Sequence, residues 1–170
     1  METRVTALYV HGPRSTRPED TDPTAMVACD AVEAVQGMGL REDARYFRLP
    51  PDAHERKRQV SLIDEGTIWK LESRFEPISR EFIKAQIILE GDVHLPSLMG
   101  STLRFAGGAE LTLALTRVPC YAMDLVASGL REAMEDGMQG ALGKVATTGR
   151  IAVGDAVSVI EAATLVAPAS

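Results

Sequence analysis

Apolar runs in this chain are short, and nearly every one stops at a glycine turn. Thr3–Val10 mixes β-branched and aromatic residues and stops at Gly12-Pro13. Met26–Val35 alternates imperfectly and ends at Gly37 and Gly39. Ile87-Ile88-Leu89 runs into Glu90-Gly91, and Ser101–Phe105 and Ala109–Thr116 flank Gly107-Gly108, a hairpin signature. Leu142–Thr147, Ile151–Val153 and Ala156–Ile160 close the chain, separated by Gly149 and Gly154-Asp155. With Gln59–Ile63, this makes about eight short strands. Segments of this length cannot build long helices, and the pattern predicts a mainly β fold, a barrel or sandwich with a few inserted helices.

Two stretches carry helical signals. Asp64 and Glu65 suit the positive end of a helix running to about Ser73, with Trp69 read as packing at the core or its rim. Ala122–Gly137 spaces Leu125, Val126, Leu130, Ala133 and Met134 at helical intervals, and Asp124–Asp136 is expected to be the main helix. Residues 13–24, with three prolines, read as a surface loop. Leu40–Arg58 is a polar excursion containing Pro50-Pro51, and Leu95–Gly100 is a tight turn.

At 170 residues the chain has the length of one domain, taken as 1–170. Its 24 acidic and 18 basic residues leave a formal charge of -6, which argues against nucleic acid as a main partner. The beginning METRVTALYV has no apolar core of a secretory signal, and no run approaches the ~18 apolar residues of a membrane helix. The expected location is the cytoplasm. Two cysteines are too few for a disulfide scaffold and agree with a reducing compartment.

Recognisable chemistry is sparse. His11, His54 and His94 have no metal-ligand spacing, no phosphate-binding glycine loop precedes a helix, and Ser61, Ser79 and Ser101 lie in no nucleophile-elbow context. Cys120 stands out, in Arg117-Val118-Pro119-Cys120-Tyr121. Pro119 ends a strand and a helix is expected to begin soon after. A thiol between a cation and a helix N-terminus is either an activated thiolate or a small packed hydrophobe, and the local sequence leaves both open. Cys29, mid-strand, reads as packing. Arg56, Lys57 and Arg58 either grip a phosphate or form a solvated face; Lys84 and Lys144 are isolated lysines beside strands.

The order of several motifs resembles the MOSC domain, named after the C-terminal part of molybdenum cofactor sulfurase. They are Arg58-Gln59-Val60-Ser61-Leu62-Ile63-Asp64; Ile87-Ile88-Leu89-Glu90-Gly91; Arg117-Val118-Pro119-Cys120; Gly140-x-x-Gly143-Lys144-Val145; and Gly149-Arg150-Ile151-Ala152-Val153-Gly154-Asp155-Ala156-Val157. The resemblance covers roughly residues 37–160 and is to the small stand-alone bacterial type. It implies a β-barrel and a cysteine, here Cys120, that binds the molybdenum of a pterin cofactor or accepts sulfur as a persulfide. Two stretches depart from the family pattern. Gly39-Leu40-Arg41-Glu42-Asp43-Ala44-Arg45-Tyr46 stands where the family commonly has Gly-Leu-x-Gly-Asp-Arg-Tyr, and Ala85-Gln86 stands where it usually has Arg-Asn.

Three readings follow from the resemblance. In the first, an oxidoreductase, Cys120 ligates molybdenum while Arg58, Lys84 and Arg117 neutralise the cofactor phosphate. An N-hydroxylated or N-oxygenated small molecule is then reduced with electrons from a separate donor protein. In the second, Cys120 is a sulfur carrier served by a sulfur-donor protein. In the third, the barrel is kept and binds nothing. Arg58, Lys84 and Arg117 are expected to converge on one anion pocket.

Overall fold

The computed structural model describes residues 2–12, 26–44 and 58–160. Most of the excursion and the proline-rich loop, with Arg56 and Lys57, lie outside the described residues. Eleven strands are described: β1 (Glu2–Val10), β2 (Val27–Cys29), β3 (Ala31–Val35), β4 (Gly39–Leu40), β5 (Val60–Asp64), β6 (Ile87–Leu89), β7 (Thr102–Phe105), β8 (Glu110–Thr116), β9 (Ala141–Thr147), β10 (Gly149–Ala152) and β11 (Ala156–Ile160). Seven close into a barrel in the order β11-β7-β8-β9-β5-β6-β1, with β1 pairing back onto β11. The expected mainly β barrel is what the chain forms.

β1 is long enough to serve two neighbours along one edge. Glu2–Arg4 pair with β11 and Leu8–Val10 with β2, while the other edge takes β6. Every barrel pairing is antiparallel except β5 with β6, which run parallel and are connected through α1 (Glu65–Glu72). β10, β3 and β4 form a separate three-stranded sheet.

β5 and β6 are buried along their whole length because both faces are covered. Leu62, Ile87 and Leu89 point into the barrel with Leu8, Leu103, Phe105, Leu111 and Leu113. Ile63 and Ile88 point outward, against Ile68 and Leu71 of α1 and Met123, Leu130 and Met134 of the later helices. α1 begins where expected. The fully buried Asp64 carboxylate accepts from the Thr67 backbone N (2.8 Å) and hydroxyl (3.0 Å), satisfying an N-terminal donor of the helix.

Three expectations need correction. Met26–Val35 is two strands, broken at Asp30, with β2 joining the barrel and β3 the small sheet; its imperfect alternation reflects that change of partner. Asp124–Asp136 is not one helix. α2 (Ala122–Val126) and α3 (Leu130–Ala133) are separated by an extended Ala127 and by Gly129 at φ +81°, so α1, at eight residues, is the longest helix described. The apolar spacing persists across the break because both short helices cover the same outer core. Trp69 is 57% exposed, on the solvent side of α1. No helix among the described residues is long and apolar enough to cross a membrane.

Candidate functional site

Strand directions gather several candidate residues at one end of the barrel. β1 runs antiparallel to β6, and β5 parallel to it. His11, just after β1, Arg58, just before β5, and Lys84, just before β6, therefore share that end. A buried polar network occupies it. Gln86 is wholly enclosed; its Oε1 accepts from the Ser61 backbone N at 2.9 Å, and its Nε2 donates to Asp43 Oδ2 at 2.8 Å. The same oxygen accepts from the His11 backbone N at 3.0 Å and lies 2.8 Å from His11 Nδ1. A carboxylate only accepts, so Nδ1 carries the imidazole hydrogen in this pair. The Asp43 side chain is fully buried, and three donors on one oxygen offset the cost of enclosing its charge.

The network continues to Arg117. Lys84 sits at φ +63°, a left-handed conformation costing roughly 1–2 kcal/mol for a residue with a Cβ. Its carbonyl accepts from the Ser61 hydroxyl (3.1 Å) and from the Arg117 guanidinium (2.8 Å). That guanidinium also donates to the carbonyls of Gln139 (3.0 Å) and Ile83 (3.4 Å), and the Arg117 backbone N to Gly140 (3.0 Å). Arg117 is buried and braces the chain where β6 begins. Beside it, the buried Oε1 of Gln139 has no hydrogen-bond partner. Arg117 also borders a cleft of about 400 Å³, with Val118, Pro119, Arg131, Glu135 and Asp136. The cleft's charge is mixed, and Arg131 pairs with Asp124 at 3.4 Å.

Three residues beyond Arg117, Cys120 is exposed, and its carbonyl accepts from the Met123 backbone N to start α2. Its neighbours differ from those expected. α2 has five residues, and the Arg117 guanidinium is engaged on main-chain carbonyls. Leu115, Val118, Tyr121 and Leu125 around it are exposed. Cys29 is half-buried against the barrel core; burial, then Glu42 and Asp30, push its thiol up from the ordinary value.

No family model matches the sequence, and no curated protein matches it. Solved structures do match. The YuaD protein from Bacillus subtilis is 21% identical with a TM-score of 0.77, covering 94% of this chain and 96% of its own. YiiM from Escherichia coli is 15% identical with a TM-score of 0.67, covering 95% of this chain and 70% of its own. YiiM from Geobacillus stearothermophilus is also 15% identical, with a TM-score of 0.70 and coverage of 94% and 75%. YiiM is a MOSC-domain protein. The fold is MOSC-like.

Within this MOSC-like barrel, the guanidinium of Arg117 and the backbone of Lys84 are in direct contact. Arg58 stands exposed at the start of β5, at the same end. The cleft bordered by Arg117 includes neither Lys84 nor Arg58, so these three do not line one pocket there. Sequence reasoning missed the network of His11, Asp43, Ser61 and Gln86. Its available signal was polar residues set against apolar runs, Ser61 within Val60–Ile63 and Gln86 directly before Ile87. Buried polar groups in such places need partners.

Proposed function

We propose that this MOSC-like protein holds the molybdenum of a pterin cofactor through the Cys120 thiolate. The observation carrying the reading is the contrast between the cysteines: Cys120 is exposed and Cys29 half-buried. A thiolate is a soft ligand suited to molybdenum. The nearby groups suit the rest of such a cofactor. Arg117, three residues before Cys120, borders a cleft with Val118 and Pro119 and touches the Lys84 backbone, and the unpartnered Oε1 of Gln139 beside it is an acceptor for a pterin N–H. When bound, the group would supply oxygen-atom removal from an N-oxygenated small molecule, with electrons from a separate donor protein. The chain's own part is to offer the sulfur and hold the Lys84 turn in place through Arg117 and Ser61. Metal analysis of protein from a molybdate-supplied host tests this. Near-stoichiometric molybdenum in the parent and none in Cys120→Ser is expected; equal loading in the two sinks the reading.

A second reading, Cys120 as a persulfide-bearing sulfur carrier, is favoured by one observation. Leu115, Val118, Tyr121 and Leu125, all within five residues of Cys120 in the chain, are exposed, a setting that suits a group handed to another protein. Mass measurement of the intact protein, showing a sulfur-sized increment absent from Cys120→Ser, tests it.

A further inference from the structure

β11 ends on the outer face of the barrel. Val157 and Val159 pack on the core, and Ile160, alternating with them, is exposed. Directly paired side chains share a face of a sheet. Ile160 pairs with Thr102 of β7, Thr102 with Thr112 of β8, and Thr112 with Lys144 of β9. Leu142, two positions from Lys144 and so on the same face, pairs with Leu115, which a register shift after Leu113 has turned outward. β11 and β8 are both antiparallel to β7 and run the same way, so Leu115 lies ahead of the end of β11.

The exposed apolar surface continues from there. Val118, Tyr121 and Leu125 are each at least 70% exposed, and Tyr121 and Leu125 are one helical turn apart. Cys120, also exposed, falls among them in the chain. Such a concentration marks a contact surface, whereas scattered exposed apolar residues need no explanation. The charge beside it is mixed. Arg131 pairs with Asp124 at 3.4 Å, and Arg74 lines a cleft with Glu132, Glu135 and Asp136. With both signs present, the rim selects neither a basic nor an acidic partner. The occupant that fits is apolar and nearly uncharged.

The chain itself supplies one. Beyond Ile160 it reads Glu161-Ala162-Ala163-Thr164-Leu165-Val166-Ala167-Pro168-Ala169-Ser170, with Glu161 the one charged side chain. Leu115 is about 10 Å farther along the strands than Ile160 and about 10 Å across, two strand spacings away. Five extended residues span about 17 Å and ten about 33 Å. Leu165 and Val166 therefore reach Leu115, with chain left over for Val118 and Tyr121. A segment tethered this close acts at roughly millimolar effective concentration, so a weak apolar contact suffices.

We propose that residues 161–170 fold back over the 115–125 surface and cover the Cys120 thiol. The cover governs access to the sulfur and stands apart from what the sulfur binds. A protein partner or a bulky reagent must displace it first.

The test compares the parent, a protein ending at Ile160, which keeps every strand pairing of β11, and full-length Leu165→Asp/Val166→Asp. The readout is the rate at which a bulky fluorescent maleimide labels Cys120, located by peptide mapping. Both variants are expected to label about threefold faster than the parent, the factor when the covered form outnumbers the open one about two to one. Because the contact is apolar, the ratio should hold as salt rises. A synthetic 161–170 peptide, added at about millimolar concentration to the shortened protein, should slow labelling and shift the amide NMR signals of 115–125. Equal rates in the parent and Leu165→Asp/Val166→Asp overturn the cover, as do peptide shifts confined to other surfaces. A parent rate that falls with protein concentration also overturns it, since a second copy would then be the occupant.

Discussion

The side chain of Gln86 donates to the carboxylate of Asp43 at 2.8 Å, inside the barrel end and shielded from solvent. That bond joins the two stretches in which this chain departs from the MOSC pattern, 39–46 and 85–86. The departures are partners. The amide at 86 gives Asp43 a donor and, through its oxygen, caps the Ser61 backbone N.

Gln86→Leu is therefore expected to destabilise the protein by about 2–3 kcal/mol, because it leaves a buried carboxylate and a buried N–H each short of a partner. The urea midpoint measures this. A shift under about 0.5 kcal/mol would mean that water replaces the amide without cost.

The two thiols should separate cleanly on alkylation. Iodoacetamide at pH 8 is expected to modify Cys120 first, since its sulfur is exposed. Cys29 combines partial burial with a pKa raised first by burial and then by Glu42 and Asp30, so little of it is thiolate at that pH. Peptide mapping after brief labelling decides; comparable labelling of Cys29 would contradict the packing around β2.

Gly140 admits no side chain. It sits at φ +82°, and a Cβ there would lie 2.0 Å from the Leu62 carbonyl oxygen, where β9 meets β5. Its own carbonyl holds the Arg117 backbone N. Gly140→Ala should cost about 3 kcal/mol or more by combining backbone strain with overpacking against main chain. Loss of soluble protein, or a large fall in melting temperature, is the expected result; a parent-like melt would place β9 differently.

Glu72 should show in the acid limb of the stability curve. The hydrogen bond from Arg80 holds its carboxyl below the ordinary range, aided by the Ile78 backbone N–H and opposed by burial. A depressed folded value means that the unfolded chain binds more protons in the window just below the ordinary glutamate value of 4.5. The contribution is present above that window and is lost as pH falls through the folded value. Glu72→Gln should flatten the loss of stability between about pH 6 and 3 by less than about 1 kcal/mol, the scale of a near-surface ion pair. Denaturant midpoints at several pH values check the slope; parallel curves would refute it.

What the sequence disclosed was local. The Gly107-Gly108 hairpin and the Asp64 cap depend on neighbours within a few positions, and both appear where expected. Trp69 was misplaced because one aromatic on an amphipathic helix gives no sign of which side the helix buries. The Asp124–Asp136 helix failed because apolar spacing cannot register a backbone break at Gly129. The polar network was beyond reach for another reason. His11, Asp43, Ser61 and Gln86 are brought together only by strand order around the barrel, and no local pattern encodes that order. The candidate thiol was legible as a residue. Its surroundings were not, since the side-chain direction of Arg117 is decided by carbonyls more than 20 positions away.

The barrel closes by pairing Glu2–Arg4 with Ala156–Ser158, the first strand with the last. During synthesis, the segment carrying Cys120 leaves the ribosome before the strand that completes the ring exists. Until β11 emerges, β7 has one unsatisfied edge and the beginning of β1 another, each a row of open hydrogen-bonding groups able to recruit a stray strand. A nascent chain halted after β9 would be the sticky species in the cell, and chaperone demand should peak just before β11 emerges.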